Sequence, residues 1–254
     1  MSALETIEWR VISQVPTIRQ SEIHIWRINL TSLNDNETQL NDSFSDEECD
    51  RAQCFHFVKD RRRFVVRRMA LRDLLGKYLG VRAKALRLLH TPHGKPVIEG
   101  QAGSAGIRFS CSHSADWALI AITRGLELGV DLEQHRPMSD LADLVNASFS
   151  DHEITEWMSI PEAFKIRCFF DGWSRKEAFV KAIGLGLSFS LKNFSVSLAR
   201  NQPAKLLNVE NDPEAVNHWK IQSLDVLPDY SGALVFEGEN IQLQCFDWNS
   251  HRFA

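Results

Sequence analysis

Two carboxylates stand two residues apart in the segment Leu126–Glu133, where they could hold a cation. The even-numbered positions of this segment are apolar, and the odd-numbered positions are Glu, Gly, Asp and Glu. Alternate side chains of a strand point to the same side, so Asp131 and Glu133 would lie side by side, with space left by Gly129. Adjacent carboxylates repel each other unless a cation or proton lies between them, and oxygen ligands suit Mg²⁺. The alternative is an exposed polar face on an edge hairpin.

A third carboxylate and an ammonium group lie on a predicted helix over Pro161–Ile183. Apolar residues recur there at steps of three and four, and two steps of four from Trp173 reach Glu177 and then Lys181. Both charges therefore lie on or beside the face that should be buried, where they need each other, a metal ion or a bound anion. Ser174 and Glu177 also match a capping box that would begin a helix, but the apolar positions upstream favour Ser174 inside the helix.

Basic residues are concentrated in a predicted amphipathic helix that ends near Gly76 or Gly80. They are Lys59, Arg61, Arg62, Arg63, Arg67, Arg68 and Arg72. Such a cluster is a solvated face, a nucleic-acid patch or a site for a small polyanion. Because the whole chain has a net charge of −4, a small polyanion such as a nucleotide fits this local excess best. Lys95, Ser112 and His113 add an ammonium, a hydroxyl and an imidazole that bind phosphate, although a lone histidine in a turn is more often simply hydrogen-bonded.

The remaining pattern supplies the elements that must position these residues. A helix is predicted to begin after Ser45, with acidic residues in its first turn. Short strands are predicted at residues 86–89, 107–111, 117–122, 126–133, 189–198, 219–226 and 232–248. The third and fourth of these strands should form a hairpin. A helix followed by strands occurs twice, which predicts two α+β halves, residues 1–124 and 125–254.

Composition indicates a soluble globular chain. Of the 254 residues, 44% are hydrophobic and 24% are charged, which suffices for one large domain or two smaller ones. No apolar run approaches the roughly 20 residues of a membrane helix, and the first residues lack the features of a signal peptide. The five cysteines form no CxxC pair, which argues against a disulfide framework or a zinc site and favours a reducing cytosol.

Two long motifs resemble the signatures of the Sfp-type 4′-phosphopantetheinyl transferases. The strand motif is LGVDLE at Leu128–Glu133, and the helix motif is WSRKEAFVK at Trp173–Lys181. Shorter supporting matches lie at residues 48–52, 59–64, 68–72, 94–96 and 109–114, and the resemblance covers about residues 44–200. The chain departs from the family pattern at Ser110, where many relatives have Asn, and at Leu128, where Val or Ile is usual.

The resemblance implies a fold and roles for particular residues. The family's fold is a pseudo-dimer of two similar α+β halves, with coenzyme A bound in the cleft between them. Mg²⁺ would be bound by Asp131, Glu133 and Glu177. Lys181 would contact the coenzyme A diphosphate, and Glu177 or a water held by the metal would accept the proton of the attacking hydroxyl. The nucleotide end with its 3′-phosphate would be bound by Lys59, Arg63, Lys95, Ser112 and His113.

The resemblance also implies a reaction and a setting. The chain would act as a holo-[acyl-carrier-protein] synthase that transfers 4′-phosphopantetheine from coenzyme A to a serine of an apo acyl or peptidyl carrier protein, releasing 3′,5′-ADP. It would be a cytoplasmic monomer without a nucleic-acid or membrane partner. Two alternatives stay open at this point. One is an Mg²⁺-dependent phosphotransferase for another nucleotide, although no GxxxxGK[ST] loop is present. The other is a non-catalytic carrier-protein or nucleic-acid binding module, although Asp131, Glu177 and Lys181 are all retained.

Overall fold

The computed structural model describes residues 7–32, 43–100, 105–198 and 203–249. The helices are α1 Asp46–Gln53, α2 Val58–Leu79, α3 Leu141–Ser148, α4 Asp151–Met158, α5 Glu162–Ile183 and α6 Ala215–His218. The strands are β1 Trp9–Val11, β2 Glu22–Asn29, β3 Leu88–His90, β4 Pro96–Ile98, β5 Ile107–Ser114, β6 Trp117–Arg124, β7 Leu128–Gln134, β8 Phe194–Val196, β9 Leu206–Val209, β10 Trp219–Leu224, β11 Tyr230–Glu237 and β12 Gln242–Trp248. Within these ranges no helix combines the length and apolarity that a membrane span requires.

Two sheets face each other, and one long helix covers the outer face of each. The first sheet has the strand order β1-β12-β2-β6-β5 and the second β10-β11-β7, beside two small hairpins β3-β4 and β8-β9. Helix α2 packs on the first sheet and α5 on the second. Each helix has 22 residues and ends at a left-handed glycine, Gly80 at φ 68° and Gly184 at φ 72°. The predicted α+β class with two similar halves is therefore confirmed.

Strand β6 shows why the layers stack in this way. Ala118, Ile120 and Ile122 point to α2, whereas Leu119 and Ala121 point to the second sheet. All five side chains are buried, because the strand is covered on both faces, and its sequence is accordingly a continuous apolar run.

The predicted hairpin of residues 117–122 and 126–133 is wrong. Strand β6 pairs with β2 and β5, whereas β7 pairs with β11 of the other sheet. Gly125, at φ 82°, turns the chain out of the first sheet. The apolar side of β7, formed by Leu128, Val130 and Leu132, then packs against the inner face of the first sheet instead of lying beside β6. Alternation shows which face of a strand is buried, but it does not identify the strand's hydrogen-bonding partner.

The C-terminal strands also differ from the prediction. The segment 189–198 contains only a three-residue strand, β8, which follows 3₁₀ turns at Gly186–Ser188 and Leu191–Asn193. The segment 232–248 divides between the sheets, because β11 lies in the second sheet and β12 pairs in parallel with β1 and β2 of the first. The boundary predicted near residue 125 stays a prediction, and β12 lies in the first sheet although it follows that boundary.

Two predicted helix features are confirmed. Ser45 caps α1 through a capping box with Glu48, in which each side chain bonds the backbone of the other residue. Ser174 lies inside α5, where its hydroxyl donates to the Asp171 carbonyl at 3.2 Å. The second long motif is therefore continuous with the helical turns before it.

A buried ion pair fixes α5 against α4 and β8. The Lys176 ammonium donates to Glu153 Oε2 at 2.7 Å and to the carbonyls of Leu191 and Phe194 at 2.8 and 2.7 Å. The other Glu153 oxygen accepts from the Val196 N–H at 2.7 Å. Burial lowers the pKa of Lys176 to about 8, and the Glu153 charge opposes that shift. Both charges are fully enclosed and hydrogen-bonded, so removal of either would leave the other without compensation.

Replacement of Lys176 should destabilise the fold strongly. Lys176→Met leaves the Glu153 carboxylate buried and unpaired, which should lower the free energy of unfolding by about 3–5 kcal/mol. Urea unfolding followed by circular dichroism measures this change, with Lys192→Met as the control because Lys192 is exposed. Equal losses in the two variants would contradict the structural role of the buried pair.

Candidate active site

Three serines at alternate positions of β5 tie the edge of the first sheet to β7, the edge of the second. Ser110 Oγ accepts from the Val130 N–H at 3.1 Å, and Ser112 Oγ donates to Asp131 Oδ1 at 2.8 Å. Ser114 Oγ donates to Glu133 Oε2 at 3.1 Å. Residues two apart in a strand share a face, so the three hydroxyls all point to β7. These contacts fix β7 laterally where its acidic side chains begin.

Gly129 brings α5 against the other side of β7. A Cβ atom at this position would lie 2.0 Å from the Ala178 carbonyl oxygen and 2.4 Å from the Ala182 nitrogen. Only glycine permits so close an approach of two backbones. The space expected beside the carboxylates is therefore filled by the helix itself, and this contact brings Glu177 and Lys181 to the polar face of β7.

Asp131 is the meeting point of strand, helix and serine. Lys181 Nζ donates to Asp131 Oδ1 at 2.6 Å and to Ser112 Oγ at 3.0 Å. Although burial alone would lower it, the Asp131 charge raises the pKa of Lys181 above its ordinary value. Asp131 is 3% exposed, and its second oxygen, Oδ2, is buried without a hydrogen-bond partner among the described residues. A buried carboxylate oxygen with no partner is unusual and is a candidate ligand for a cation.

Glu133 and Glu177 flank Asp131. Burial raises the pKa of each carboxyl above its ordinary value, and the Asp131 charge raises both further. The Glu177–Lys181 ion pair that the sequence left open is not formed, because Lys181 binds Asp131 instead. Within the described ranges no three acidic, histidine or cysteine groups already converge as a metal cluster. The three carboxylates nevertheless form one negative region that a cation would stabilise.

The residues expected at the nucleotide end divide between three places. Ser112 binds Asp131 and Lys181, and His113 lies beside them. Lys95 donates to Glu127 Oε2 at 2.8 Å and to the Ala182 carbonyl at 3.1 Å. The remaining two, Lys59 and Arg63, both face the Asp116 carboxylate, at 3.8 and 2.7 Å. The structure therefore groups Ser112 and His113 with the carboxylates and places the other three basic groups apart from them.

His113 is an uncharged imidazole in a basic environment. Burial lowers the pKa of His113 to about 4, and the cations of Arg67, Lys181 and Arg63 lower it further, against the opposing charge of Asp131. Arg67 Nη1 lies 2.8 Å from His113 Nδ1, which therefore accepts from the guanidinium. Sequence reasoning missed Arg67 as a site residue. Its position one helical turn after Arg63, on the same face of α2, was a signal that could have found it.

A cavity of about 870 Å³ opens beside Lys95. Its walls come from the β3–β4 hairpin, the start of β5 and the C-terminal end of α5, and include Lys95, Phe109, Ile183 and Trp219. Apolar walls with a few polar groups are typical of small-molecule sites.

Comparisons with known proteins agree with this arrangement. The model of the 4′-phosphopantetheinyl transferase superfamily matches residues 127–235, and the model of the 4′-phosphopantetheinyl transferase N-terminal region matches residues 33–124. The first match contains all three carboxylates, and the second contains the basic helix and the serines of β5. The chain belongs to the 4′-phosphopantetheinyl transferase superfamily.

Particular relatives cover most of the chain. The 4′-phosphopantetheinyl transferase HetI of Nostoc sp. is 35% identical, over 84% of this chain and 86% of its own. The 4′-phosphopantetheinyl transferase psf-1 of Bacillus pumilus is 29% identical, over 83% of this chain and 88% of its own. Among solved structures, the holo-[acyl-carrier-protein] synthase of Thermotoga maritima is 18% identical with a TM-score of 0.36, over 45% of this chain and 64% of that one.

A methyl group at Gly129 should force α5 away from β7. Gly129→Ala should lower the free energy of unfolding by at least about 2 kcal/mol, because the added carbon meets backbone atoms that cannot rotate aside. Urea unfolding measures the loss. Gly238→Ala gives the cost of backbone strain without a clash, since Gly238 has φ 89° and nothing within 4 Å of an added Cβ. A loss below about 1 kcal/mol in Gly129→Ala would contradict the close contact between helix and strand.

Proposed function

We propose that Asp131, Glu133, Glu177 and Lys181 form the catalytic centre for the transfer of 4′-phosphopantetheine from coenzyme A to a serine of an apo carrier protein. The observation that carries this assignment is the buried Asp131 carboxylate. One of its oxygens binds Lys181 and Ser112, while the other has no partner among the described residues. It lies where the strand motif and the helix motif of the family meet.

The donor set fits Mg²⁺. Asp131, Glu133 and Glu177 offer oxygen ligands, which hard divalent cations prefer. Asp131 Oδ2 has no hydrogen-bond partner among the described residues, and the Asp131 charge adds to burial in raising the pKa of both glutamates. We therefore assign Mg²⁺ to these three side chains. When bound, it would supply positive charge to the diphosphate of coenzyme A.

The reaction is a displacement at the phosphorus on the pantetheine side of the diphosphate. The serine oxygen of the carrier forms a bond to this phosphorus, and the bond from phosphorus to the bridging oxygen breaks, so that 3′,5′-ADP leaves. Lys181, held at Asp131 by a 2.6 Å contact, is placed to stabilise the charge of the departing phosphate. The serine proton passes to a carboxylate oxygen of Glu177, which acts as the general base.

Other residues bind the nucleotide end in this proposal. Ser112 and His113 lie beside Lys181, and the neutral imidazole of His113 offers a hydrogen bond to phosphate without a charge of its own. Lys95 borders the cavity at the end of α5, and this cavity has the size of a small-molecule site. The binding of the nucleotide by Lys59 and Arg63 stays a prediction. Both side chains contact the Asp116 carboxylate.

The narrower assignments are also part of the proposal. The chain would act as a holo-[acyl-carrier-protein] synthase, with an acyl or a peptidyl carrier protein as the acceptor. It would be a cytoplasmic monomer. A cytoplasmic setting is supported by the cysteines, since none of the five, all within the described residues, forms a disulfide, as is usual in a reducing compartment.

Removal of the Glu177 charge should abolish most turnover and leave the fold intact. Glu177→Gln keeps the shape of the side chain but cannot accept the serine proton, so the transfer rate should fall by at least about 100-fold. Intact-mass spectrometry of an apo carrier protein, incubated with coenzyme A and Mg²⁺, measures the gain of one phosphopantetheine group.

The matched control is Glu162→Gln on the same helix, because the Glu162 side chain is 87% exposed. This variant should transfer at the wild-type rate. A carrier whose serine is replaced by alanine should gain no mass. Wild-type transfer by Glu177→Gln would contradict the role of this carboxylate, and no transfer by the unaltered protein to either an acyl or a peptidyl carrier would contradict the proposed function.

A further inference from the structure

The turn between β5 and β6 is bound directly to Glu133. Ser114, the last residue of β5, donates its hydroxyl to Glu133 Oε2 at 3.1 Å and accepts from the Gln134 N–H at 3.0 Å. One serine thus holds both the side chain of the proposed metal ligand and the backbone that follows it. The orientation of the Glu133 carboxylate consequently depends on where this turn lies.

The turn needs support of its own. Ala115 has φ 48°, a left-handed conformation that residues with a Cβ atom rarely adopt. Such a conformation persists where surrounding contacts hold it. On the side of the first sheet, the Leu30 N–H donates to the Asp116 carbonyl at 2.8 Å. The Asp116 side chain supplies the second support.

Arg63 of α2 provides that second support. Its Nε and Nη2 atoms donate to Asp116 Oδ1 at 2.9 and 2.7 Å, and Lys59 Nζ lies 3.8 Å from the same oxygen. The Arg63 side chain is 22% exposed and that of Asp116 39%, so this pair contributes little to global stability. Its geometry is nevertheless specific, because two donors of one guanidinium fix a single carboxylate oxygen. The Arg63–Asp116 pair therefore fixes the position of the turn between β5 and β6.

We propose that Arg63 and Ser114 are positioning residues for the metal ligand Glu133. Arg63 fixes the turn through Asp116, and Ser114 in that turn orients the Glu133 carboxylate by its hydrogen bond. This differs from the expectation that Arg63 binds the nucleotide, since the contact of its guanidinium is with the turn. The inference rests on the proposed function, because it requires a divalent cation at Glu133.

Metal affinity measured apart from catalysis tests this chain of contacts. The probe is Mn²⁺ in the presence of coenzyme A, with free Mn²⁺ followed by electron paramagnetic resonance in the full-length protein. Ser114→Ala and Arg63→Met should each weaken Mn²⁺ binding by about tenfold or more, as loss of a hydrogen bond to a metal ligand does. The KM for coenzyme A at saturating Mg²⁺ should stay within about twofold of wild type. The melting temperature should fall by no more than about 4 °C, the effect of losing one hydrogen bond in a chain of this size.

Three further single variants and one double variant sharpen the result. Ser114→Thr keeps the hydroxyl and should retain wild-type affinity for Mn²⁺, and Arg62→Met removes an exposed arginine of the same helix and should do the same. Asp116→Ala should weaken Mn²⁺ binding as Arg63→Met does. The double variant Arg63→Met/Asp116→Ala should bind no more weakly than either single one, because both changes break the same link.

The outcomes separate this inference from the proposed function. Unchanged Mn²⁺ affinity in Ser114→Ala, with normal transfer by the unaltered protein, would overturn the inference alone. A raised KM for coenzyme A in Arg63→Met, with unchanged Mn²⁺ affinity, would overturn it in favour of a nucleotide contact. An unaltered protein that neither binds Mn²⁺ nor transfers phosphopantetheine would overturn the proposed function, and this inference with it.

Discussion

The buried carboxylate of Asp131 is the constraint on which the rest of the site depends. An enclosed negative charge must be compensated, and the fold brings three different elements to it. Ser112 comes from the edge of the first sheet, Lys181 comes from α5, and the approach of that helix requires the missing side chain of Gly129. This compensation is incomplete, because one oxygen of Asp131 has no partner among the described residues. In the proposed function, the cation that arrives with the substrate would pair with this second oxygen.

The two sheets meet through side chains and not through hydrogen-bonded strands. Strand β7 hydrogen-bonds with β11, while its contact with β5 runs through the hydroxyls of Ser110, Ser112 and Ser114. Such a junction fixes the register of β5 against β7 without a continuous backbone ladder, since each hydroxyl bonds at least one particular group of β7. In the proposed function, it also couples the nucleotide side of the site to the carboxylate side. A displacement of β5 would move the partners of Asp131 and Glu133 at the same time.

The sequence predicted the site better than it predicted the topology. Alternation along β7 placed Asp131 and Glu133 side by side, and the steps of four along α5 placed Glu177 and Lys181 on one face, because both patterns are local and periodic. That the strand and the helix meet was implied only by the family resemblance, and the Lys181–Asp131 contact agrees with it. The strand pairing failed, because a strand's partner depends on packing between distant segments. The environment of Arg63 was hidden for the same reason, since Asp116 follows a different strand. Local periodicity shows which side of an element a residue occupies, and tertiary packing decides what that residue meets there.

The most direct test of the account is the position of the metal. Crystals grown with coenzyme A and Mn²⁺ would show the ion by its anomalous scattering. The account predicts a peak on the order of 2 Å from Asp131 Oδ2, with Glu133 and Glu177 among the other ligands and Lys181 turned to the diphosphate. A peak elsewhere in the cleft, or bound coenzyme A with Asp131 Oδ2 still lacking a partner, would contradict it.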